Sequence, residues 1–440
     1  MLIANYKLKK DIGLFEAVMY GVGIILGAGI YSLIGVGAGV AGDALWLSFV
    51  IGAAIATFTG FSYAELASMY PKEAAEYVYT RHAFRRQMLS FIVEWIMLFA
   101  VIVSATTVAL GFSGYWSFLF GGKLIVIAAL LIIVMSLLNY FGIKDSARYN
   151  NVSTIIESSG LFAIILFGAY YLTKNHGFAS IGYFNSPTGI GGILTATTLV
   201  YFAFIGFENL ANLSEETKNA AKIIPKALLL SLGISSIIYI LISIAAVGIL
   251  GSENLANSKA PLSEVSEKAI PGSSMALSLI ALFATSNTVL ISLIVASRLF
   301  YGLASNRMLP KIFSAVGRHG TPGFSVFLVG ALAVLSLLAG GIKDLAHLVD
   351  LGIFVVYIFV NLSLIVLRYK EPDARRPFKA PLNLGNFPLL AFFGLALNLG
   401  MLYFFELKVF IHALALSIVG VALYLSFSRI KMKKHHQQAS

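Results

Sequence analysis

The sequence predicts an all-α polytopic membrane protein of twelve transmembrane helices, and three observations carry that prediction. Of 440 residues, 58% are hydrophobic, about 255 in all, and twelve bilayer-spanning helices of about 21 residues would use about 252. Charged residues are only 12% of the chain, too little ionic surface to keep a globule of this size in water. Of the 31 Lys and Arg, 25 fall on one side of the predicted membrane and six (Lys123, Lys174, Lys259, Lys268, Lys343, Lys408) on the other. Such asymmetry is the mark of cytoplasmic loops.

Apolar runs separated by short polar, Pro- or Gly-containing breaks place the helices at about 12–39, 43–69, 88–118, 124–141, 151–173, 191–213, 225–250, 273–304, 324–341, 345–367, 386–404 and 408–428. The first run is long and followed by Gly-rich sequence, so it reads as a retained span and not a cleaved signal peptide. An even number of spans with both termini in the cytoplasm accounts for the charge distribution, and a plasma membrane location is expected. The net charge of +11 is then a topology signal, and nucleic acid is not an expected partner. With no cysteine, neither a disulfide framework nor a thiolate metal site is available.

All eleven prolines fall in the predicted loops or at predicted helix starts, so a break inside a span must come from glycine. Span 1 concentrates them, with Gly27-Ala28-Gly29 near mid-membrane, and span 6 carries a second interruption at Gly206 within residues 202–208. Gly21, Gly35 and Gly39 read as close-packing residues; the 27–29 cluster reads as a break. If the first ten spans form two five-helix halves, the odd number inverts the second half, and spans 1 and 6 correspond. Paired interruptions in inverted repeats point to a transporter substrate site, because unwound backbone at mid-bilayer must face a cavity or ligand. The G-x-G-x-x-G match at 37–42, with Glu65 following, lies at a helix end without a preceding strand and carries no weight.

Six acids lie within spans: Glu16, Glu65, Glu94, Glu157, Glu208 and Asp350. Each ionised carboxylate near a helix centre costs roughly 2.5–3.5 kcal/mol, so each needs a purpose. Glu16 and Glu65 lie near the cytoplasmic face, where snorkelling or pairing with basic loops suffices. Glu94 reads as an internal cap or pair, and Asp350 as an interfacial or gate residue. Glu208 follows the span 6 break directly. Glu157 lies six residues into span 5, about 9 Å deep, and Arg298 on span 8 has a similar depth. Two readings stand: a Glu157–Arg298 ion pair, or a Glu157 that titrates or holds a cation with the Thr288 and Ser292 hydroxyls.

Ordered motifs carry a resemblance. GxGIILGAGIY at 21–31, YAEL at 63–66, NYFGIK at 139–144, FAFIGFEN at 202–209 with EETKNAAKIIPKA at 215–227, and SRLFYGLASNRMLP at 297–310 resemble the amino acid–polyamine–organocation (APC) superfamily over at least residues 12–325. The resemblance implies the LeuT-type fold, a single transporter domain over 1–440 with repeat one at about 12–173, repeat two at about 191–367 and two extra helices at about 386–428. It implies that backbone amides around Gly27, Ala28 and Gly29 hold a substrate α-carboxylate. Carbonyls of Ile25, Phe202, Ala203 and Ile205 would hold the α-amino group, and Phe202 matches the family's aromatic gate. Glu157 stands where some proton-coupled relatives have lysine. Ser292 replaces the tryptophan of the arginine/agmatine antiporter branch, and Ala74-Ala75 replace a common Gly-Gly.

The leading expectation is a secondary amino acid transporter, working by alternating access of spans 1, 2, 6 and 7 against a scaffold. Its expected substrates are small or neutral L-amino acids carried with a proton, with no cofactor and no metal. The alternatives are an amino acid or polyamine exchanger without ion coupling, and a sodium-coupled symporter. A membrane-embedded enzyme is not expected: H-E-x-x-H is absent, GFSGY at 111–115 fails the G-x-S-x-G pattern, and the seven histidines are scattered.

Overall fold

The computed structural model describes residues 12–27, 29–72, 75–141, 143–175, 182–212, 214, 217–317 and 320–438, with backbone alone for 143–151, 175, 212 and 427–438. It is helical throughout, apart from a two-stranded hairpin, β1 (Asn383–Leu384) with β2 (Phe387–Pro388).

The first predicted span is two helices, α1 (Leu14–Ile25) and α2 (Gly29–Ala41). Then come α3 (Leu45–Met69), a short α4 (Ala75–Phe84), α5 (Gln87–Phe120), α6 (Leu124–Phe141) and α7 (Ile143–Asn175). The sixth predicted span is also divided, into α8 (Gly189–Val200), a 3-10 turn at Tyr201–Phe204 and a single-turn α9 (Asn209–Asn212). Next are α10 (Ala220–Leu250), the short α11 (Ser252–Asn257) and α12 (Pro261–Ala269), and α13 (Ser274–Ser305). The chain ends with α14 (Gly323–Ser336), α15 (Ile342–Lys370), α16 (Leu389–Met401) and α17 (Leu407–Gln438). Among the described residues, nine helical stretches are long and apolar enough to cross a bilayer, and Leu14–Ile25, Gly323–Ser336 and Leu389–Phe404 are shorter apolar helices.

One boundary corrects the sequence reading. The seventh span begins at Ala220, not at 225, so Pro225 lies inside α10 and not at its start. Residues 220–224 supply an extra helical turn ahead of it. The lost Pro225 N–H therefore costs one bond near the end of a helix instead of breaking its middle.

Packing sorts the helices into two groups. α1, α2, α3, α8 and α10 pack on one another; α5, α6, α13 and α14 form a second set; α7 and α15 touch both. Within the first group small residues allow close approach. Gly21 meets Ser231 and Leu210, and Gly60 meets Leu232, contacts that a β-carbon would occupy. The packing reading of Gly21 agrees with this, and Gly35 and Gly39 likewise press on the 255–261 segment.

A buried ionic cluster ties α3 to the far end of α15. Glu65 is fully buried and pairs with Arg368 at 2.6 Å and Arg376 at 3.1 Å, while Ala380 N–H donates to Glu65 Oε2 at 2.8 Å. Of the two roles open to Glu65 in the sequence, the structure has the pairing. Glu16, by contrast, is exposed and accepts from Gly13 N–H at the start of α1. Glu94 accepts from Tyr77 N–H at 3.2 Å, fixing α4 against α5. Removing one partner of a buried pair leaves an uncompensated charge and costs about 3–5 kcal/mol. Glu65→Gln is therefore expected to lower the unfolding midpoint in detergent substantially, whereas Glu16→Gln leaves it nearly unchanged; equal midpoints for the two variants would contradict this ranking.

Candidate functional site

Both divided spans open onto one cavity. Helix α1 ends at Ile25, with Leu26 capping it by donating to Val22 O at 2.7 Å, and α2 starts at Gly29. Glycine at 27 and 29 is required by proximity: a β-carbon on Gly27 would lie 2.7 Å from Thr288 Oγ1, and one on Gly29 only 2.5 Å from Ala203 Cα. In the other break the chain turns from the 3-10 segment into extended Ile205 (φ −63°, ψ 138°), then Gly206 at φ +122°, a conformation few side chains tolerate. The methyl branch of Ile24 packs into the place a Gly206 side chain would take. Each break thus leans on the other, and glycine is what lets them meet.

The cavity, about 50 Å³, is lined from α1–α2 by Ile25, Gly27 and Gly29, and from the second break by Phe202, Ala203, Ile205 and Glu208. Thr288 and Ser292 of α13 line it too. Every substrate-binding candidate among the described residues is therefore brought together; Ala28 lies outside the described residues. A larger cleft of about 230 Å³ between α5, α15 and α17 is lined almost wholly by apolar side chains such as Phe99, Leu351 and Leu414, and the polar groups of its Trp95 and Ser417 donate to the Leu416 and Ala413 carbonyls.

The remaining candidates separate. Glu157 is fully buried, its carbonyl accepts from Tyr31 O–H at 3.2 Å, and among the described residues neither of its side-chain oxygens has a hydrogen-bond partner. Arg298 is exposed, and among the described residues no ion pair joins it to Glu157. The sequence-level pairing fails because equal depth along two helices does not mean facing sides. Glu208 is committed to the break itself: both its oxygens accept from Gly206 N–H, at 3.1 and 2.9 Å, and Oε2 also accepts from Tyr357 O–H at 2.8 Å. A carboxylate at this position satisfies backbone that unwinding has exposed. Thr288 Oγ1 donates to Ala284 O at 3.1 Å on its own helix. Phe202 is 4% exposed and sits at the cavity wall.

Tyr239 of α10 is the residue that sequence reading missed. Its buried hydroxyl donates to the carbonyls of Ile25 and of Ala203, the latter at 2.9 Å, so one phenol holds both breaks. These are two of the carbonyls assigned above to a substrate amino group, and Tyr239 also lies within electrostatic reach of Glu157. Nothing in an apolar helix containing one tyrosine among isoleucines signals such a role; it depends on the approach of three helices.

Comparison with known proteins is consistent with this geometry. The amino acid permease family profile matches residues 12–421. A branched-chain amino acid permease of Bacillus subtilis is 31% identical over 96% of this chain and 94% of its own. A methylthioribose transporter of the same organism is 26% identical over the same shares. A vacuolar cationic amino acid transporter of Arabidopsis thaliana is 29% identical over 84% of this chain and 65% of its own.

Two outcomes follow for the site. Tyr239→Phe leaves buried carbonyls without their donor, a cost of about 1–3 kcal/mol; its melting point falls, and added amino acid raises that melting point by more than it does for the unsubstituted protein. Gly29→Ala forces the two breaks apart and is expected to abolish ligand-dependent stabilisation in the same thermal assay, whereas Gly302→Ala, which meets open space, leaves it intact.

Proposed function

Because the chain belongs to the amino acid permease family of the APC superfamily, we propose that it is a secondary transporter that takes up small or neutral L-amino acids, branched-chain ones included, together with a proton. The observation that carries this reading is the convergence of both helix breaks on one cavity, with a buried carboxylate, Glu157, one phenol away, whose oxygens have no hydrogen-bond partner among the described residues. The proposed architecture is the twelve-span LeuT-type fold with both termini in the cytoplasm of a plasma membrane protein. In it, repeats at about 12–173 and 191–367 place their broken helices at corresponding positions.

Amides at the start of α2 are suited to a substrate carboxylate, because a helix amino terminus presents free N–H groups and a positive dipole end. The substrate ammonium would displace the Tyr239 hydroxyl from Ile25 O and Ala203 O, and Phe202 would close over it. Glu208, the acid in the cavity wall, accepts from Gly206 N–H and Tyr357 O–H and so serves the break first, while the rest of the named lining, Ile25, Phe202, Ala203 and Ile205, is apolar and suits a neutral side chain. The named activity of the Bacillus branched-chain permease points to the same substrates.

Coupling would pass through Glu157. Among the described residues no hydrogen bond reaches its side-chain oxygens, and an ionised carboxylate buried without donors is costly, so the arrangement described here suits the neutral form, which would carry the proton together with the substrate.

The test is uptake of radiolabelled valine, leucine and isoleucine into proteoliposomes under imposed proton or sodium gradients. Wild-type protein is expected to accumulate substrate with an inward proton gradient, and Glu157→Gln to retain exchange while losing accumulation by about tenfold or more. Accumulation driven by sodium alone, or full proton coupling in Glu157→Gln, would overturn the coupling assignment. Failure of every amino acid to exchange would overturn the transport reading itself.

A further inference from the structure

Helix α15 presents a line of polar groups to the helices that carry the substrate site, and most of its rungs are closed. Tyr357 O–H donates to Glu208 at 2.8 Å, Asn361 meets Ser62 and Thr59 at 2.6 and 3.1 Å, and Arg368 pairs with Glu65. The rung at the other end is open. Asp350, Tyr201 and His347 are 0%, 0% and 2% exposed, and among the described residues both Asp350 oxygens, the Tyr201 hydroxyl and His347 Nε2 lack a hydrogen-bond partner. Four such atoms on one stretch of interface are unusual, since buried polar groups are nearly always paired.

These groups belong to one place. Tyr201 is the first residue of the 3-10 turn at 201–204, its ring packs on Phe354 one helical turn beyond Asp350 (centroids 4.6 Å apart), and its phenol lies within electrostatic reach of Asp350. Val349 and Ile353, flanking Asp350, line the substrate cavity.

We infer that Asp350 and Tyr201 form a second proton-binding site, at the outer end of the substrate cavity and separate from Glu157, whose occupancy sets the position of the turn carrying Phe202 and Ala203. The inference rests on the transporter reading and its orientation, but not on proton symport.

The groups around this site define what happens when the proton leaves. Tyr201 faces Asp350 from the 201–204 turn, and Glu208, just past that turn, acts on the same phenol. On α15 itself His347 lies one turn toward the outer end and Tyr357 two turns inward. Tyr63 and Glu65 of α3, Glu76 of α4 and Glu94 of α5 lie further inward beside Tyr357 and Arg368, as the contacts of Tyr63 with Tyr357 and Glu76 and of Glu94 with Tyr77 show. At the outer end, Lys343 and Asp344 of α15, and Glu406 and Lys408 before and on α17, act on His347. No basic group is thus placed to neutralise an ionised Asp350 among the described residues; the available donor is the Tyr201 hydroxyl. The step is a proton transfer alone: an Asp350 O–H bond breaks, the proton leaves toward the outer face past His347, and the carboxylate accepts from Tyr201. That last bond draws the turn toward α15, so the packing described here is held at lower pH and lost as pH rises.

Amino acid exchange across proteoliposomes with no imposed gradient, with outside pH stepped from roughly 5 to 9, tests this. Wild-type leucine exchange is expected to fall along an alkaline limb of up to about tenfold per pH unit, the limit for loss of one proton. Asp350→Asn, which fixes the neutral form, flattens that limb. Tyr201→Phe, which removes the donor for the ionised form, moves it to higher pH. Asp350→Glu restores a limb and shows that the position tolerates substitution. A wild-type profile in Asp350→Asn would overturn the inference, as would a limb that disappears in Glu157→Gln but not in Asp350→Asn. Loss of gradient-driven accumulation with the exchange profile intact would count against the symport reading alone.

Discussion

Backbone that leaves a helix in an apolar interior must find its hydrogen bonds inside the protein, and that requirement organises this molecule. Two chain breaks are brought face to face, Gly29 against Ala203 and Gly206 against Ile24, so that each covers the other's exposed groups. What the breaks cannot supply to each other comes from side chains that would otherwise be costly to bury. The Glu208 carboxylate closes on Gly206 N–H, and the Tyr239 hydroxyl on Ile25 and Ala203 carbonyls. In the function proposed above, the polar atoms that stabilise the breaks are also those that a small zwitterion engages, so that binding exchanges one set of hydrogen bonds for another.

The same reasoning separates the buried acids into two kinds. Glu65, Glu94 and Glu208 each have partners that fix elements in place: α3 to α15, α4 to α5, and the second break to itself. Glu157 and Asp350 have none among the described residues. Unpartnered carboxylates are poor structural elements, since their removal would relieve a desolvation cost. Buried carboxylates within reach of tyrosine hydroxyls, Tyr31 and Tyr239 for Glu157 and Tyr201 for Asp350, fit the proton-binding roles proposed above better than a packing role.

The helices around the site divide into a group that carries both breaks and a group that does not, with α7 and α15 in contact with both. Those two intermediates are the ones that hold Glu157 and Asp350. A charge change on either falls where the two groups meet, and a shift of one against the other would be felt there first.

The apolar runs and the glycine clusters were enough to predict the helices, their approximate ends and the two interruptions, because hydrophobic length and glycine content are local properties of a chain. The convergence of Ile25, Gly27, Gly29, Phe202, Ala203 and Ile205 was likewise expected, through the resemblance of their motifs. Tertiary structure decided the rest. It started α10 ahead of Pro225, left Arg298 exposed and, among the described residues, the Glu157 side-chain oxygens without a hydrogen bond, tied Glu208 to its own break, and placed Tyr239 between two carbonyls far apart in sequence. Which side of a helix faces which neighbour depends on rotation and crossing of whole helices, and no spacing along one chain segment encodes that.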